Sequence, residues 1–401
     1  MKRLAIISAA CIVAFSAMAQ PSGQGSISRY EIDLDEWTPV TGYTLPDVLT
    51  CNDGKVVKTA RQWEKKRRPE VKAIYENEMF GKVPARPADM HFGLSTPDSL
   101  VYDGKVLRRR IWVYLDAAEQ HKFEVMLHLP VKHAGKIPCF VALNFRAIED
   151  SFDGTRYELP YEAITDEGFG IAVAFHASIE PDGDEYEVNS ASVRSWYKPA
   201  DEWGCISAWA MGLSAMADYL ATLPEVDMDR LAVIGHSRLG KTALWAGAND
   251  ERFSLVISNN SGCCGAATNA RMYGETFEVI YDHFPYWFIP EFKKYANRDG
   301  EFPVDQNALV ALSAPRPVYV ASASEDHWAD PYGEWLTALN AGPVYELYGL
   351  KGLSEKTMPA LGHCDDYGSV AYKIHKGPHA LAADDWMDYI KFAKRHFYPC
   401  K

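Results

Sequence analysis

The sequence has no basic surplus. Its 41 Lys and Arg stand against 54 Asp and Glu, a formal net charge of −13. With no cationic excess to displace counterions, a nucleic acid is not an expected partner. Long apolar runs are also missing. The one candidate, residues 4–16, is too short to span a bilayer. Cysteine is sparse, 8 in 401 residues, and its spacing does not resemble a small disulfide scaffold. Cys263 and Cys264 are adjacent and so poor partners for each other. The rest leave room for one or two disulfides and at least one free thiol. His363-Cys364-Asp365-Asp366 lacks a second half at ligand spacing, so no metal site is expected. There is no internal repeat, low-complexity tract or clear linker, which favours one large domain.

What is present begins with a leader. Met1-Lys2-Arg3 is basic, residues 4–16 are mostly apolar, and Ala17-Met18-Ala19 offers a small-residue cleavage site. This is the pattern of a secretory signal peptide over 1–19. The mature chain is expected to start near Gln20 and to work in the periplasm or outside the cell, with no membrane association after cleavage. Hydrophobic residues make up 47% of the chain, enough for a large core. Aromatics reach 12%, with 11 Trp and 22 Tyr. They serve either as core packing or as a sugar cleft, where flat rings stack on pyranose faces.

Residues 20–60 read as an N-terminal extension and 61–401 as the main domain. Residues 61–80 are charged and helical in pattern. Residues 107–116 and 122–130 alternate as an antiparallel strand pair. Runs 138–145 and 170–175 are continuously apolar, as strands buried on both faces of a parallel sheet are. Residues 201–223 carry apolar side chains at helical spacing, with Pro224 as a stop. Runs 253–258, 317–323 and 344–348 supply three further strands, and 384–397 closes the chain as an amphipathic helix. Strand alternating with helix predicts an α/β fold with a doubly wound, mostly parallel sheet and helices on both faces.

Within that pattern, Leu231-Ala-Val-Ile-Gly-His-Ser-Arg-Leu-Gly-Lys-Thr-Ala-Leu-Trp-Ala-Gly-Ala248 breaks from strand to helix through a glycine-flanked turn. Two readings apply. One is the nucleophile elbow of an α/β-hydrolase, with Ser237 held out at the tip. The other is a phosphate loop, because Gly235-x-x-x-x-Gly240-Lys241-Thr242 satisfies that pattern. The leader places the chain where ATP is scarce, and no convincing acidic strand end serves as a second nucleotide motif, so the elbow is preferred. Serine needs a histidine to take its proton and a carboxylate to hold the histidine. In this fold the chain order is Ser, acid, His. Asp326 follows the strand 317–323, and His379 precedes the last helix. Ser237, Asp326 and His379 therefore form the candidate triad, with His375, Glu325 and Asp330 as alternates. His236, beside the serine, points away at an elbow and is a poor base. Arg238 sits where a cation opposes the helix dipole, unless a developing oxyanion needs it.

These residues resemble bacterial glucuronoyl esterases of carbohydrate esterase family fifteen. The likeness rests on Gly235-His-Ser-Arg-Leu-Gly-Lys-Thr-Ala-Leu-Trp245, Ser258-Asn-Asn-Ser-Gly-Cys263, Phe284-Pro-Tyr-Trp-Phe288, Ala314-Pro-Arg-Pro317, Glu325-Asp-His-Trp-Ala-Asp-Pro331 and Lys198-Pro-Ala-Asp-Glu-Trp-Gly204. The resemblance implies a cofactor-free serine esterase cleaving the ester between (4-O-methyl-)glucuronic acid of glucuronoxylan and lignin alcohols. It implies Ser237 as nucleophile, His379 as base, Asp326 as acid and Arg238 as oxyanion donor. Lys241, Glu275 and Trp328 would contact the uronate. A monomer is expected. Three departures stand out: Asn260 where some members carry a glutamate, an atypical loop at 144–150, and Cys264 in place of a usual glycine. Two rivals stay open: the same machinery acting on acetyl groups of xylan, and a catalytically weak glycan-binding protein that keeps the fold.

Overall fold

A computed structural model describes residues 42–146, 157, 159–183, 193–196 and 203–399. The expected leader, the first part of the extension, residues 147–150 of the atypical loop and residues 198–202 lie outside them. Ten strands form one sheet in the order β1-β2-β3-β5-β4-β6-β7-β8-β10-β9. They are β1 His91–Val101, β2 Val106–Tyr114, β3 Lys122–Pro130, β4 Ile137–Asn144, β5 Gly170–Phe175, β6 Val226–His236, β7 Phe253–Asn259, β8 Val318–Ala323, β9 Cys364–Asp365 and β10 Val370–His375. Strands β5, β4, β6, β7, β8 and β10 run parallel. The pairs β1–β2, β2–β3, β3–β5 and β9–β10 are antiparallel.

The apolar runs of the central strands follow from burial on both faces. In β6, Leu231 and Val233 enter one core cluster while Ala232 and Ile234 enter the other. In β4, Cys139 and Val141 face the first cluster, and Phe140 and Ala142 the second. Helices Cys205–Leu220 and Arg238–Asn249 cover the first face and bring Trp209 and Trp245 into it. Helices Tyr161–Asp166 and Ala383–Phe397 cover the second, through Ile164, Trp386, Tyr389 and Phe392. Helix Cys205–Leu220 is buried at every position except Asp218, as a helix apolar on all sides must be. From the N-terminal segment, Val48, Cys51 and Val57 are buried in the first cluster.

Three expectations change. Residues 344–348 are not a strand: Leu347 and Tyr348 lie in the turn that follows helix Pro331–Glu346, and 344–346 are the last turn of that helix. Its buried positions Thr337, Ala338, Ala341, Val344 and Tyr345 recur at helical spacing. Pro343 lies inside this helix rather than ending it. The strand beside β8 is instead β10. Second, the six described cysteines, Cys51, Cys139, Cys205, Cys263, Cys264 and Cys364, are all free, so no disulfide occurs among the described residues. Third, β1 lengthens the antiparallel edge, with register shifts between Leu94 and Ser99. Pro97 is tolerated there because an edge strand has an unpaired side. Among the described residues, no helix is long and apolar enough to cross a membrane.

Candidate active site

Strand β6 ends at His236, and the chain turns at Ser237 into helix Arg238–Asn249. Ser237 has φ 56° and ψ −129°. A non-glycine residue in that region costs on the order of 1–3 kcal/mol and persists only when its surroundings enforce it. Enforcement comes from the flanking glycines. A Cβ on Gly235 would lie 1.8 Å from the Leu239 carbonyl oxygen, and one on Gly240 2.9 Å from the Ser261 Cβ. The Ser237 N–H donates to Asn259 O across 2.9 Å. The spacing that mimics a phosphate loop is thus set by the steric needs of an elbow.

The loops after β8 and β10 are laced together beside this elbow. Ser324 N–H donates to His375 O and Glu325 N–H to Gly377 O, each at 2.9 Å. Asp326 is buried, and His379 Nδ1 bonds its Oδ2 at 2.5 Å. A carboxylate facing Nδ1 makes that nitrogen the donor and leaves Nε2 to accept a proton. The His379 ring packs 4.4 Å from the His236 ring, the residue preceding Ser237. Ser237 Oγ makes no hydrogen bond to His379 here; such contacts commonly tighten only when substrate binds.

The alternates have other partners. His375 faces Asp385 at 3.2 Å. Asp330 pairs with Arg271 at 2.9 Å and caps helix Pro331–Glu346. His236 bonds Asn259 Oδ1 through Nδ1, and burial together with the nearby His379 keeps its pKa well below the usual histidine value.

Arg238 is half-buried over the rings of Trp287 and Phe284, 4.6 and 5.1 Å from their centroids. Its Nη1 donates to Asp182 Oδ2 at 2.5 Å. Lys241, one helical turn beyond Ser237, is buried, donates to Ser261 O at 2.6 Å and lies 5.7 Å from the Trp287 centroid. Burial pushes the Glu275 carboxyl up, opposed by the Lys241 charge, a side-chain hydrogen bond from Trp328 and the Arg238 charge. Trp328 is 43% exposed, and its carbonyl accepts from Glu275 N–H at 3.0 Å. Two cations, one carboxyl and an aromatic wall therefore converge beside the elbow, a set able to hold sugar hydroxyls and to steady negative charge.

Several residues of this site escape the sequence reading. Asp182 and His176 follow β5, at the carboxyl edge of the sheet where functional loops gather. That position was the available signal. Glu334 is fully buried and accepts from Gly262 N–H at 2.9 Å and from Ser322 Oγ at 2.6 Å. Ser261 Oγ also reaches it, at 3.3 Å. It anchors the turn whose Ser261 carbonyl holds Lys241. Burial raises its carboxyl to about 8.

Comparison with known proteins bears on the family and the fold. A family model described as glucuronyl esterase, fungi, matches residues 115–349. Carbohydrate esterase MZ0003, from an unknown prokaryotic organism, is 36% identical over 94% of this chain and 93% of its own length. A 4-O-methyl-glucuronoyl methylesterase of Podospora anserina is 27% identical over 82% of this chain, which spans 63% of that protein. Among solved structures, a glucuronoyl esterase from Solibacter usitatus superposes with a TM-score of 0.82 at 38% identity, covering 89% of this chain and 99% of that one. A promiscuous CE15 esterase from a marine bacterial metagenome gives 0.79 at 34% identity, covering 89% and 98%.

Proposed function

The chain belongs to the glucuronoyl esterase family, carbohydrate esterase family fifteen, and on that premise we propose that it hydrolyses the ester between (4-O-methyl-)glucuronic acid on glucuronoxylan and an alcohol of lignin. The observation that carries the mechanism is the 2.5 Å bond from His379 Nδ1 to Asp326 beside the strained Ser237 elbow. Ser237 Oγ attacks the uronate carbonyl carbon and its proton passes to His379 Nε2. Asp326 steadies the resulting imidazolium. Negative charge gathers on the former carbonyl oxygen, next to Arg238 and its backbone N–H, which as the first of its helix has no intrahelical acceptor. His379 returns the proton to the departing alcohol. Water then hydrolyses the acyl-enzyme by the reverse sequence of proton transfers.

The substrate ester is neutral, so the site need not hold a carboxylate before reaction. Lys241, Glu275 and Trp328 grip the uronate ring, the ammonium and carboxyl to its hydroxyls and the indole against its face. The signal peptide proposed over 1–19 would deliver a monomeric domain of residues 61–401, with its N-terminal extension, to the periplasm or the medium.

Hydrolysis of methyl or benzyl glucuronate beside acetylated xylan, by wild type and Ser237→Ala, tests the reading. Uronate cleavage that disappears in the variant is the expected outcome. Acetate release alone, or xylan binding without turnover, overturns it.

A further inference from the structure

Arg238 poses a physical problem. A guanidinium in the first turn of a helix opposes the positive end of the macrodipole, and its Nε is buried with no hydrogen-bond partner among the described residues. The surroundings resolve it through Asp182. One carboxylate oxygen, Oδ2, accepts from Arg238 Nη1 at 2.5 Å and from His176 Nε2 at 3.0 Å. The other, Oδ1, accepts from the Trp287 indole N–H at 2.8 Å. Trp287 is also the ring on which the guanidinium lies, so one carboxylate fixes the cation's edge and the plane beneath it together.

The supports behind Asp182 are equally defined. His176 Nδ1 faces Asn144 O at 2.9 Å while its Nε2 faces the Asp182 carboxylate. Each ring nitrogen thus has a partner, and the imidazole is held at both edges. Its ring is wedged edge-on against Trp209 and Phe145. The segment 176–182 is pinned further by Glu180, whose carboxylate meets Arg194 Nε at 2.8 Å and whose carbonyl takes the Trp209 indole N–H at 2.9 Å. Burial alone would raise the Asp182 carboxyl, but the His176 hydrogen bond and the Arg238 charge outweigh it and hold it far below the usual carboxylate range. It is therefore an anion throughout the working pH range.

We propose that Asp182 is a positioning residue for ester hydrolysis: it holds one guanidinium nitrogen of Arg238 so that the remaining N–H donors face the carbonyl oxygen beside Ser237. This deepens the esterase reading and rests on it. Arginine offers five donors in a rigid fork, and the Asp182 bond uses one. Released from it, the side chain would rotate on its flexible stem and lose the preorganisation that makes such donors effective.

The test is a double-mutant cycle on methyl glucuronate with wild type, Asp182→Asn, Arg238→Ala and the pair. Asp182→Asn is expected to lose about 100-fold in kcat with little change in KM, as misplacement of a transition-state donor does. In the Arg238→Ala background the same change should cost less than about threefold, because the group it positions is gone. Added guanidinium should partly restore Arg238→Ala and fail to restore the pair, a readout that a purely structural defect would not give. If Asp182→Asn folds poorly, Asp182→Glu, which keeps the charge one methylene further out, should lower kcat where Arg238 is present and cost less than about threefold in the Arg238→Ala background. Wild-type activity with Asp182→Asn within about threefold of it, or losses that multiply in the pair, overturns the assignment while leaving the esterase reading intact. A folded wild type without turnover overturns both.

Discussion

Asn260 Nδ2 donates to the carbonyl oxygen of Ala380 across 2.8 Å, one residue beyond His379. This amide, just past the end of β7, ties down the loop that carries His379. The negative charge facing the imidazole comes from Asp326. Asp326→Asn should therefore reduce kcat by about 10⁴-fold, through the wrong tautomer and an unsupported imidazolium. Asn260→Ala removes two neutral hydrogen bonds, to Ala380 O and Asn259 Oδ1, each worth about 1 kcal/mol, and should cost less than about tenfold. Steady-state kinetics on methyl glucuronate compares the two, and near-normal turnover of Asp326→Asn would remove that acid assignment.

The elbow stores strain at Ser237, at φ 56°. Glycine adopts that conformation without penalty. Ser237→Gly should abolish turnover and at the same time stabilise the fold by about 1 kcal/mol. Gly235→Ala should act in the opposite sense, since its Cβ would meet the Leu239 carbonyl oxygen at 1.8 Å. A loss of about 3 kcal/mol is expected from such overpacking. Denaturant melts of the two variants should bracket wild type.

Glu334 gives a pH signature in stability. Its carboxyl titrates near 8 in the folded chain against an ordinary value of 4.5. The folded state thus prefers the protonated form. The stability this contributes is fully present below about pH 4.5 and is lost as pH rises through about 8. Glu334→Gln, which keeps a neutral side chain of the same size, should flatten the fall in Tm over that window. An unchanged slope would show that the group does not titrate there.

Lys241 donates to the Ser261 carbonyl from a buried position. Lys241→Met keeps its bulk and removes the charge. If the ammonium binds uronate hydroxyls equally in ground and transition states, the change should appear in KM, raised by about tenfold or more, with kcat nearly kept. A defect confined to kcat would instead place the ammonium near the developing charge.

The parts of this fold legible in the sequence were those with a local cause. Gly235 and Gly240 announce the elbow because no side chain fits at either place. Strands β4 to β8 announce themselves because both of their faces are buried. Residues 344–348 misled because Val-Tyr-Glu-Leu-Tyr is rich in strand-forming side chains, while the helix whose end it overlaps is defined by positions further upstream, such as Thr337 and Ala341. Strand β1 was silent because an edge strand tolerates Pro97 and the polar residues around it. Asp326 and His379 could be placed by order along the chain. Asp182 could not, since His176, Arg238 and Trp287 meet it from separate parts of the sequence.

The sheet's far margin has a consequence for durability. Strand β10 leads to His379, and its outer neighbour is the two-residue β9. Fraying of that margin would carry the imidazole away while β4, β6 and β7 still held their packing. Heat should then silence the enzyme before it melts it. Residual-activity curves are expected to fall at lower temperature than the circular-dichroism transition, and a covalent staple across β9 and β10 should bring the two together.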